Sequence, residues 1–204
     1  MQYLELKTQL KDFPVFSIKD IEKVDLSFHK QRLSEWQKKG YVKKIRQGFY
    51  IFGDLEINEK ILFTIANRIY KPSYISLEMA LSMYGIIPEA VYGVTSATSK
   101  SSKKMHTPVG DFIYRHTQPD LMFGYELREY DGHHYQIAEL EKAVLDYLYC
   151  NSKISDIESF DGIRFNIVEL KEKLNREKFN KYLEAFHSKA LVRRAKKFLA
   201  YISK

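Results

Sequence analysis

The sequence predicts an α+β protein built in two parts. Within the first 53 residues helical patterns lead into a hairpin pattern, a β-rich stretch covers 91–137, and helical spacing of apolar residues returns after residue 139. Gly53-Asp54 is the expected boundary. It separates an N-terminal domain at 1–53 from a mixed α/β domain at 54–204, in which a small sheet is flanked by helices. In this second domain Ser76 is expected to cap a helix at 77–84, Asp131-Gly132 to form a hairpin turn, and 167–185 to form a single helix.

Two short helices are predicted near the N-terminus. The first, at 3–12, ends before Pro14, whose ring removes a backbone donor and restricts the residue before it. The second begins at Ser17, which has Asp20 three residues later. This spacing resembles a capping box with Asp in place of Glu, so Ser17 is expected to hold the start of the helix.

A third helix and a hairpin complete the N-terminal domain. Ser27 is expected to cap a helix of about three and a half turns, and Gly40 to close it. Strands at 41–45 and 49–52 follow, joined by a tight turn. Two short helices, a longer helix and a hairpin within about 50 residues form the pattern of a winged helix-turn-helix, which places its recognition helix in the major groove of DNA.

The third helix is predicted to have one apolar and one polar side. On a wheel of about 100° per residue, His29 and Trp36 lie close to Leu33, so these three are expected to pack inward. The opposite side is polar and basic, and Gln, Lys and Ser side chains can bond base edges or phosphates. Basic residues of the hairpin would contact phosphates or the minor groove. The predicted DNA-binding residues are Ser27, Lys30, Gln31, Ser34, Lys38, Lys43, Lys44, Arg46 and Gln47.

The charge distribution favours a polyanionic partner. The net charge of +7 divides into +5 at 1–53, −4 at 54–150 and +6 at 151–204. Between residues 27 and 50, seven basic residues stand against one acid. If about four to six of them neutralise phosphates, log K should fall with log salt at a slope of about −4 to −5. The alternatives are a solvated basic surface and a winged helix used only for protein contacts.

Two other basic segments could form a second surface. The hydroxyl-rich stretch 95–104 suits phosphate oxygens but lacks the glycines of a phosphate-binding loop. The last predicted helix, at 188–202, has an apolar stripe opposite a basic side. Each segment is either a solvated surface or a second contact for nucleic acid or a partner protein. The basic residues concerned are Lys100, Lys103, Lys104, Lys189, Arg193, Lys196 and Lys197.

No catalytic, metal or cofactor site is predicted. Glu141 and Asp146 lie about 140° apart on a predicted helix, so they do not form a natural catalytic pair. With Lys142 they are expected to cap the helix, to be surface charges or to form an internal ion pair. The histidines considered as metal ligands lack the spacing of a metal-binding motif. They are His106, His116, His133 and His134.

The chain is expected to be cytoplasmic. Its N-terminus is charged and lacks the apolar core of a signal peptide, and no window approaches the ~18 apolar residues of a membrane span. The single cysteine, Cys150, excludes an internal disulfide and a multi-cysteine zinc site. Because it lies in an apolar run, we expect it to be a buried small hydrophobe rather than a reactive thiol.

Several short segments of the sequence resemble those of a known family in both order and spacing. They are YISLEMAL at 74–81, YGIIPEAVY at 84–92, VTSATSK at 94–100, TPVGDFIYRH at 107–116, FGY at 123–125, and IA followed by EKAVLDYLY within 137–149. Together with the RQGFY that closes the predicted hairpin, they resemble the AbiEi antitoxins of type IV toxin–antitoxin systems, first associated with abortive infection by phage. The resemblance covers about residues 15–150. Residues 151–204 are similar only to a generic helical tail.

This resemblance implies two roles. The winged helix would repress the antitoxin–toxin operon by binding inverted repeats in double-stranded operator DNA. The C-terminal domain would counter a toxin of the nucleotidyltransferase class without a lasting complex. The protein would then be a regulator and not an enzyme. The alternative is an enzyme that modifies the toxin or reverses its modification of a target, although no active-site motif supports it.

Overall fold

The computed structural model describes residues 1–88 and 92–203, and within them it has ten α-helices, a short 3-10 helix and two β-sheets. The mixed α+β class is therefore confirmed. The helices are α1 (Tyr3–Gln9), α2 (Ile18–Val24), α3 (Gln31–Lys38), α4 (Glu59–Ile69), α5 (Leu77–Met83), α6 (Leu140–Cys150), α7 (Ile157–Ile163), α8 (Ile167–Lys173), α9 (Arg176–Ala185) and α10 (Lys189–Ile202), with the 3-10 turn at Pro119–Leu121. The strands are β1 (Phe16–Ser17), β2 (Val42–Arg46), β3 (Phe49–Phe52), β4 (Ser73–Ile75), β5 (Val94–Thr98), β6 (Lys103–Thr107), β7 (Gly110–His116), β8 (Tyr125–Tyr130) and β9 (His133–Ala138).

A capping box fixes the start of α2, as predicted. The Ser17 amide donates to the Asp20 carboxylate at 2.8 Å, and the Asp20 amide donates to the Ser17 hydroxyl at 3.4 Å. Because a cap residue is extended, the backbone at Phe16–Ser17 also forms the short strand β1, which pairs with β3. The sequence pattern did not predict this strand, since two residues are too few to show alternation.

Helix α3 is shorter than predicted, and Ser27 does not cap it. The amide and hydroxyl of Ser27 both donate to Asp25 Oδ1, at 2.9 and 2.7 Å, so the backbone turns there and the helix begins only at Gln31. His29 therefore precedes the helix and is exposed, and its predicted packing role is wrong. Phe28 takes the inward position instead, with 8% of its surface exposed.

The first sheet, in the order β1-β3-β2, is antiparallel and separates two hydrophobic cores. Alternate residues of a strand point to opposite faces. Tyr50 and Phe52 accordingly join the core of α1–α3, whereas Ile51 lies in the larger core formed mainly by residues after 54. Val15 and Ile45 belong to the same larger core. The hairpin is thus packed on both faces, and its second face ties the N-terminal segment to the rest of the chain.

The second sheet has six strands in the order β6-β7-β5-β4-β9-β8. Two of its pairs are parallel, β4 with β9 and β5 with β7, and the other three are antiparallel. Asp131 and Gly132, with φ of 49° and 72°, form the predicted turn between β8 and β9. The central strand β4 was not predicted, because its three residues are all buried and show no alternation. Val91, where a strand was predicted to begin, lies outside the described residues.

The helices after this sheet differ from prediction at one break. A single helix was expected over 167–185, but the chain forms α8 and α9 with Asn175 between them. The Asn175 amide donates to Glu141 Oε1 at 2.8 Å, and its side chain accepts the Lys178 amide at 3.0 Å, which caps α9. A long-range contact with α6 therefore decides where α9 begins.

Across residues 1–88 and 92–203, none of the helices has both the length and the apolar character needed to cross a lipid bilayer.

Candidate nucleic-acid interface

Helix α3 separates its apolar and polar sides as the wheel predicts. Leu33 and Trp36 are 2% and 6% exposed, and the Trp36 ring contacts those of Phe28 and Tyr3 at centroid distances of 5.6 and 5.8 Å. Aromatic contacts of this kind fix the rotation of the helix about its own axis. The direction in which the polar side points is therefore set by packing.

The polar side of α3 is open to solvent. Gln31, Ser34 and Lys38 are exposed, and their side chains make no hydrogen bond or ion pair with any residue that the structure describes. Lys30, just before the helix, is also exposed, with its ammonium 3.5 Å from Glu22. An exposed pair of this kind contributes little and exchanges readily for another anion. Ser27 is exposed in the preceding turn, where its hydroxyl donates a hydrogen bond to Asp25.

Two of the hairpin lysines and the turn glutamine are equally accessible. Lys43 and Lys44 are exposed on the edge strand β2, where they lie opposite Ile51 and Tyr50 of β3. Gln47 is exposed in the turn. An edge strand with free lysines presents ammonium groups that can reach phosphate oxygens.

Arg46 occupies a different position from the one expected. It is half-buried, its Nη1 donates to the Ile69 carbonyl at 2.5 Å, and its guanidinium lies 5.8 Å from the centre of the Tyr70 ring. Ile69 is the last residue of α4, so Arg46 satisfies a carbonyl that the helix leaves open. The hairpin end is fixed to the second part of the chain, and Arg46 is less available to a ligand than the two lysines.

The basic residues predicted around 95–104 fall into two groups. Lys103 and Lys104 are exposed on the edge strand β6, and Lys104 lies 3.9 Å from Asp111. The Lys100 ammonium lies 5.5 Å from the centre of the same Tyr70 ring that Arg46 approaches. The fold therefore brings Lys100 beside the end of the hairpin, about fifty residues away in sequence, and leaves the other two elsewhere.

Helix α10 shows the predicted apolar stripe and basic side. Its stripe is buried and consists of Leu191, Ala195, Phe198 and Ile202. The exposed basic residues are Lys189, Arg193, Lys196 and Lys197. None of these four forms a hydrogen bond or ion pair within the described part of the chain, whereas the neighbouring Arg194 donates to the Leu148 carbonyl at 3.1 Å.

The charges of α6 form a buried network. Lys142 and Asp146 are 0% and 1% exposed and pair with each other across one helical turn. The Lys142 ammonium also donates to the Tyr74 hydroxyl at 2.8 Å, while Asp146 accepts hydrogen bonds from Tyr74 and Ser76, both at 2.8 Å. The internal ion pair is confirmed, and the surface-charge alternative is wrong. Ser76 was expected to cap α5, but its hydroxyl serves Asp146 instead.

Aromatic rings enclose the ammonium group of this network. The rings of Tyr74, Phe123 and Phe186 have their centres 5.3, 5.1 and 4.9 Å from Lys142 Nζ. Burial, followed by the neighbouring Asp146 carboxylate, raises the pKa of the Tyr74 hydroxyl far above its usual value, so it stays protonated. Each charge has partners inside the network, which is typical of a structural cluster rather than of a catalytic one.

Three of the histidines considered for metal binding each have a different partner in the fold. His106 Nδ1 is 2.8 Å from Asp111, His116 Nδ1 contacts the Lys100 carbonyl at 3.0 Å, and His134 lies 3.7 Å from Glu129. Among the described residues no three or more His, Cys, Asp or Glu side chains are grouped in a way that could hold a metal ion.

Three residues at and just after the end of α4 belong to the junction between the two parts of the chain, which the sequence analysis did not predict. Arg68, Tyr70 and Lys71 line the junction between the N-terminal segment and the rest of the chain. Arg68 donates to Asp20 at 2.6 Å. Burial alone would raise the Asp20 pKa, but the bonds from Ser17 and Arg68 outweigh it and hold that pKa below its usual value. The one sequence signal that could have identified these residues is the pair of basic residues in the pattern Arg-Ile-Tyr-Lys at 68–71.

No family model and no curated protein matches this chain. The family resemblance therefore rests on the sequence phrases alone.

Proposed function

We propose that residues 1–53 form a winged helix-turn-helix that binds double-stranded DNA, with α3 as the recognition helix. The observation that carries this proposal is the open side of α3. Gln31, Ser34 and Lys38 are exposed there and have no partner among the described residues, while Leu33 and Trp36 hold the opposite side inward. A recognition helix needs this combination, because the side chains that bond base edges must be both free and held in a fixed direction.

The element order supports the same proposal. Helices α1 to α3 precede the hairpin β2-β3, and the short strand β1 completes its sheet. Lys43 and Lys44 add positive charge on opposite faces of the edge strand β2, where they would contact phosphates. Charge argues against a module that binds only proteins, since such a module does not need seven basic residues against one acid between 27 and 50.

On the strength of the sequence resemblance, we further propose that the protein is an AbiEi-like repressor of its own antitoxin–toxin operon. Its remaining residues would counter a nucleotidyltransferase-class toxin in the cytoplasm, without a stable complex. It would act by binding and not by catalysis. The closed network around Lys142 favours this, because its buried charges satisfy one another and offer no free acid or base.

A gel-shift assay on the DNA upstream of the gene tests the DNA-binding proposal. The variant Gln31→Ala with Lys38→Ala should lose preference for that DNA over an unrelated duplex. The matched control is Asn180→Ala with Lys181→Ala on α9, where both residues are exposed and unpartnered within the described chain, and it should bind as the parent does. Normal binding by the α3 variant would remove α3 as the recognition helix.

Antitoxin activity is best tested with the full chain. A fragment beginning at residue 54 would lose Val15, Ile45 and Ile51 from the larger core, so its failure would be ambiguous. The α3 variant instead keeps every buried contact. Expressed with the neighbouring toxin from a foreign promoter, it should still rescue growth. Continued growth arrest with the parent chain would contradict the antitoxin proposal but would not affect the DNA-binding proposal.

A further inference from the structure

The junction between the N-terminal segment and α4 contains a cleft of about 470 Å³ that is lined by an excess of cations. This volume lies within the range of small-molecule sites. Asp20 is the one carboxylate among the lining residues. The basic residues come from α2, the end of β2, the end of α4 and the loop after β5, and they are Lys19, Lys23, Arg46, Arg68, Lys71 and Lys100.

Much of this positive charge is unbalanced. Arg68 is paired with Asp20, which uses the only acid of the cleft. The ammonium groups of Lys19, Lys23 and Lys71 have no hydrogen-bond or ion-pair partner among residues 1–88 and 92–203. Because like charges repel at short range, six cations against one carboxylate raise the energy of the empty cleft, and an anion would lower it.

Two cations of the cleft approach the same aromatic ring. Arg46 and Lys100 lie 5.8 and 5.5 Å from the centre of the Tyr70 ring. Arg46 is further fixed by its bond to Ile69, and a guanidinium with one donor engaged keeps others free for an oxygen ligand. Partial burial, and then the charge of Arg68, lowers the pKa of Lys71, while the Asp20 carboxylate acts in the opposite direction.

A second, smaller cavity of about 220 Å³ shares Arg68 and Lys71 with this cleft and adds further polar groups, among them Asn67 and the carboxylate of Asp12. Asn67, 9% exposed, accepts the Gln136 amide through Oδ1 at 2.6 Å, which leaves its Nδ2 without a partner in the described chain. A buried amide N–H that lacks an acceptor is costly. An oxyanion on this side of Arg68 would supply one.

We propose that this junction cleft binds a free oligophosphate group, of two or three linked phosphates, through Arg46, Arg68, Lys71 and Lys100. Linked phosphates carry three or four negative charges within a few ångströms, which matches the excess of cations better than a single sulfate or carboxylate does. The cations converge on one cleft from several separate elements, which favours a compact polyanion over the extended backbone of a duplex. The inference uses no residue of α3, although it shares Arg46 with the predicted DNA-binding residues, so the two proposals can fail separately.

Isothermal titration of the full chain with pyrophosphate, ATP, sulfate and a short DNA duplex tests the proposal. We expect saturable binding of pyrophosphate and ATP and much weaker binding of sulfate. The double variant Lys71→Met with Lys100→Met should bind pyrophosphate and ATP about tenfold more weakly or worse, since two ammonium contacts are lost. Both lysines are exposed, so the fold should be kept. The control Lys171→Met with Lys181→Met changes the same charge elsewhere and should bind as the parent does.

Each other outcome overturns the proposal. Absence of pyrophosphate and ATP binding to the parent removes the site. Equal affinity in the Lys71/Lys100 variant places binding elsewhere, and sulfate binding as tight as pyrophosphate excludes the oligophosphate class. If the variant has a lower affinity only for the duplex, the cleft contacts DNA phosphates and does not bind a free ligand. Lys71→Arg with Lys100→Arg keeps both charges and should bind as the parent does, so binding as weak as in the methionine variant would also overturn the proposal.

Discussion

Arg46, at the end of strand β2, donates a hydrogen bond of 2.5 Å to the carbonyl of Ile69, the last residue of helix α4. The bond joins the hairpin to the second part of the chain and places the guanidinium beside Tyr70. Ile45 and Ile51 pack into the larger core next to this contact. The N-terminal segment is consequently packed against the rest of the molecule and is not connected to it by the chain alone.

The substitution Arg46→Ala should lower the free energy of unfolding by about 1–2 kcal/mol, because it removes a charged hydrogen bond and a cation–ring contact at a half-buried position. Urea denaturation followed by circular dichroism measures the change. Lys43→Ala, on the same strand but exposed, should cost less than about 0.5 kcal/mol. Equal costs for the two would mean that Arg46 does not anchor the hairpin.

The salt dependence of DNA binding should report individual lysines. For the parent chain we expect log K to fall with log salt at a slope of about −4. Lys44→Gln should reduce the steepness by about one and weaken all duplexes alike, since a phosphate contact carries no sequence information. Fluorescence anisotropy at several salt concentrations gives the slope. Lys171→Gln serves as the control, and an identical slope in both variants would exclude Lys44 from the interface.

The buried network of α6 should be very sensitive to loss of one partner. Lys142→Met leaves the Asp146 carboxylate buried without its cation, and we expect a loss of about 3–5 kcal/mol in the free energy of unfolding. Adding Asp146→Asn removes the stranded charge but keeps an acceptor for Tyr74 and Ser76. The double variant should therefore be more stable than the sum of the single changes predicts. Strict additivity in chemical denaturation would show that the two residues are not coupled.

Acid should destabilise the protein partly through Asp20. Its pKa is lower in the folded chain than the usual 3.8, so the carboxylate contributes stability above that pH which is lost as the pH falls through the folded-state value. Asp20→Asn should lower the melting temperature at pH 7 and make it less dependent on pH below about 4. Glu172→Gln, an exposed acid, is the control. An unchanged acid profile in the Asp20 variant would contradict the assignment.

Cys150 should react slowly as a nucleophile. Burial, followed by the nearby Asp146 carboxylate, raises the pKa of its thiol to about 11, so the thiolate fraction at pH 8 is on the order of 0.1%. We expect alkylation by iodoacetamide at pH 8 to be at least about tenfold slower in the folded chain than in urea. Mass spectrometry of timed samples follows the reaction. Comparable rates in the two states would mean that the thiol is accessible and ionised.

Local chemistry in the sequence predicted most of the elements but not all of their ends. The Ser17–Asp20 capping box and the Asp131-Gly132 turn are fixed by bonds and backbone preferences within a few residues, so the pattern was sufficient. The start of α3 was missed because Asp25 competes for the amide of Ser27. Strand β4 was missed because burial on both faces removes the alternation that identifies a strand.

Periodicity in the sequence determined by itself that α3 would bury Leu33 and Trp36 and expose Gln31, Ser34 and Lys38, since the period of a helix is fixed by its backbone. Only the tertiary structure decided that Arg46 would be held by Ile69, that Lys100 would lie beside it, and that Lys142 would be buried against Asp146. These contacts join residues from different elements or depend on what covers a helix face. A one-dimensional pattern records which side of an element is apolar, but not which other element covers it.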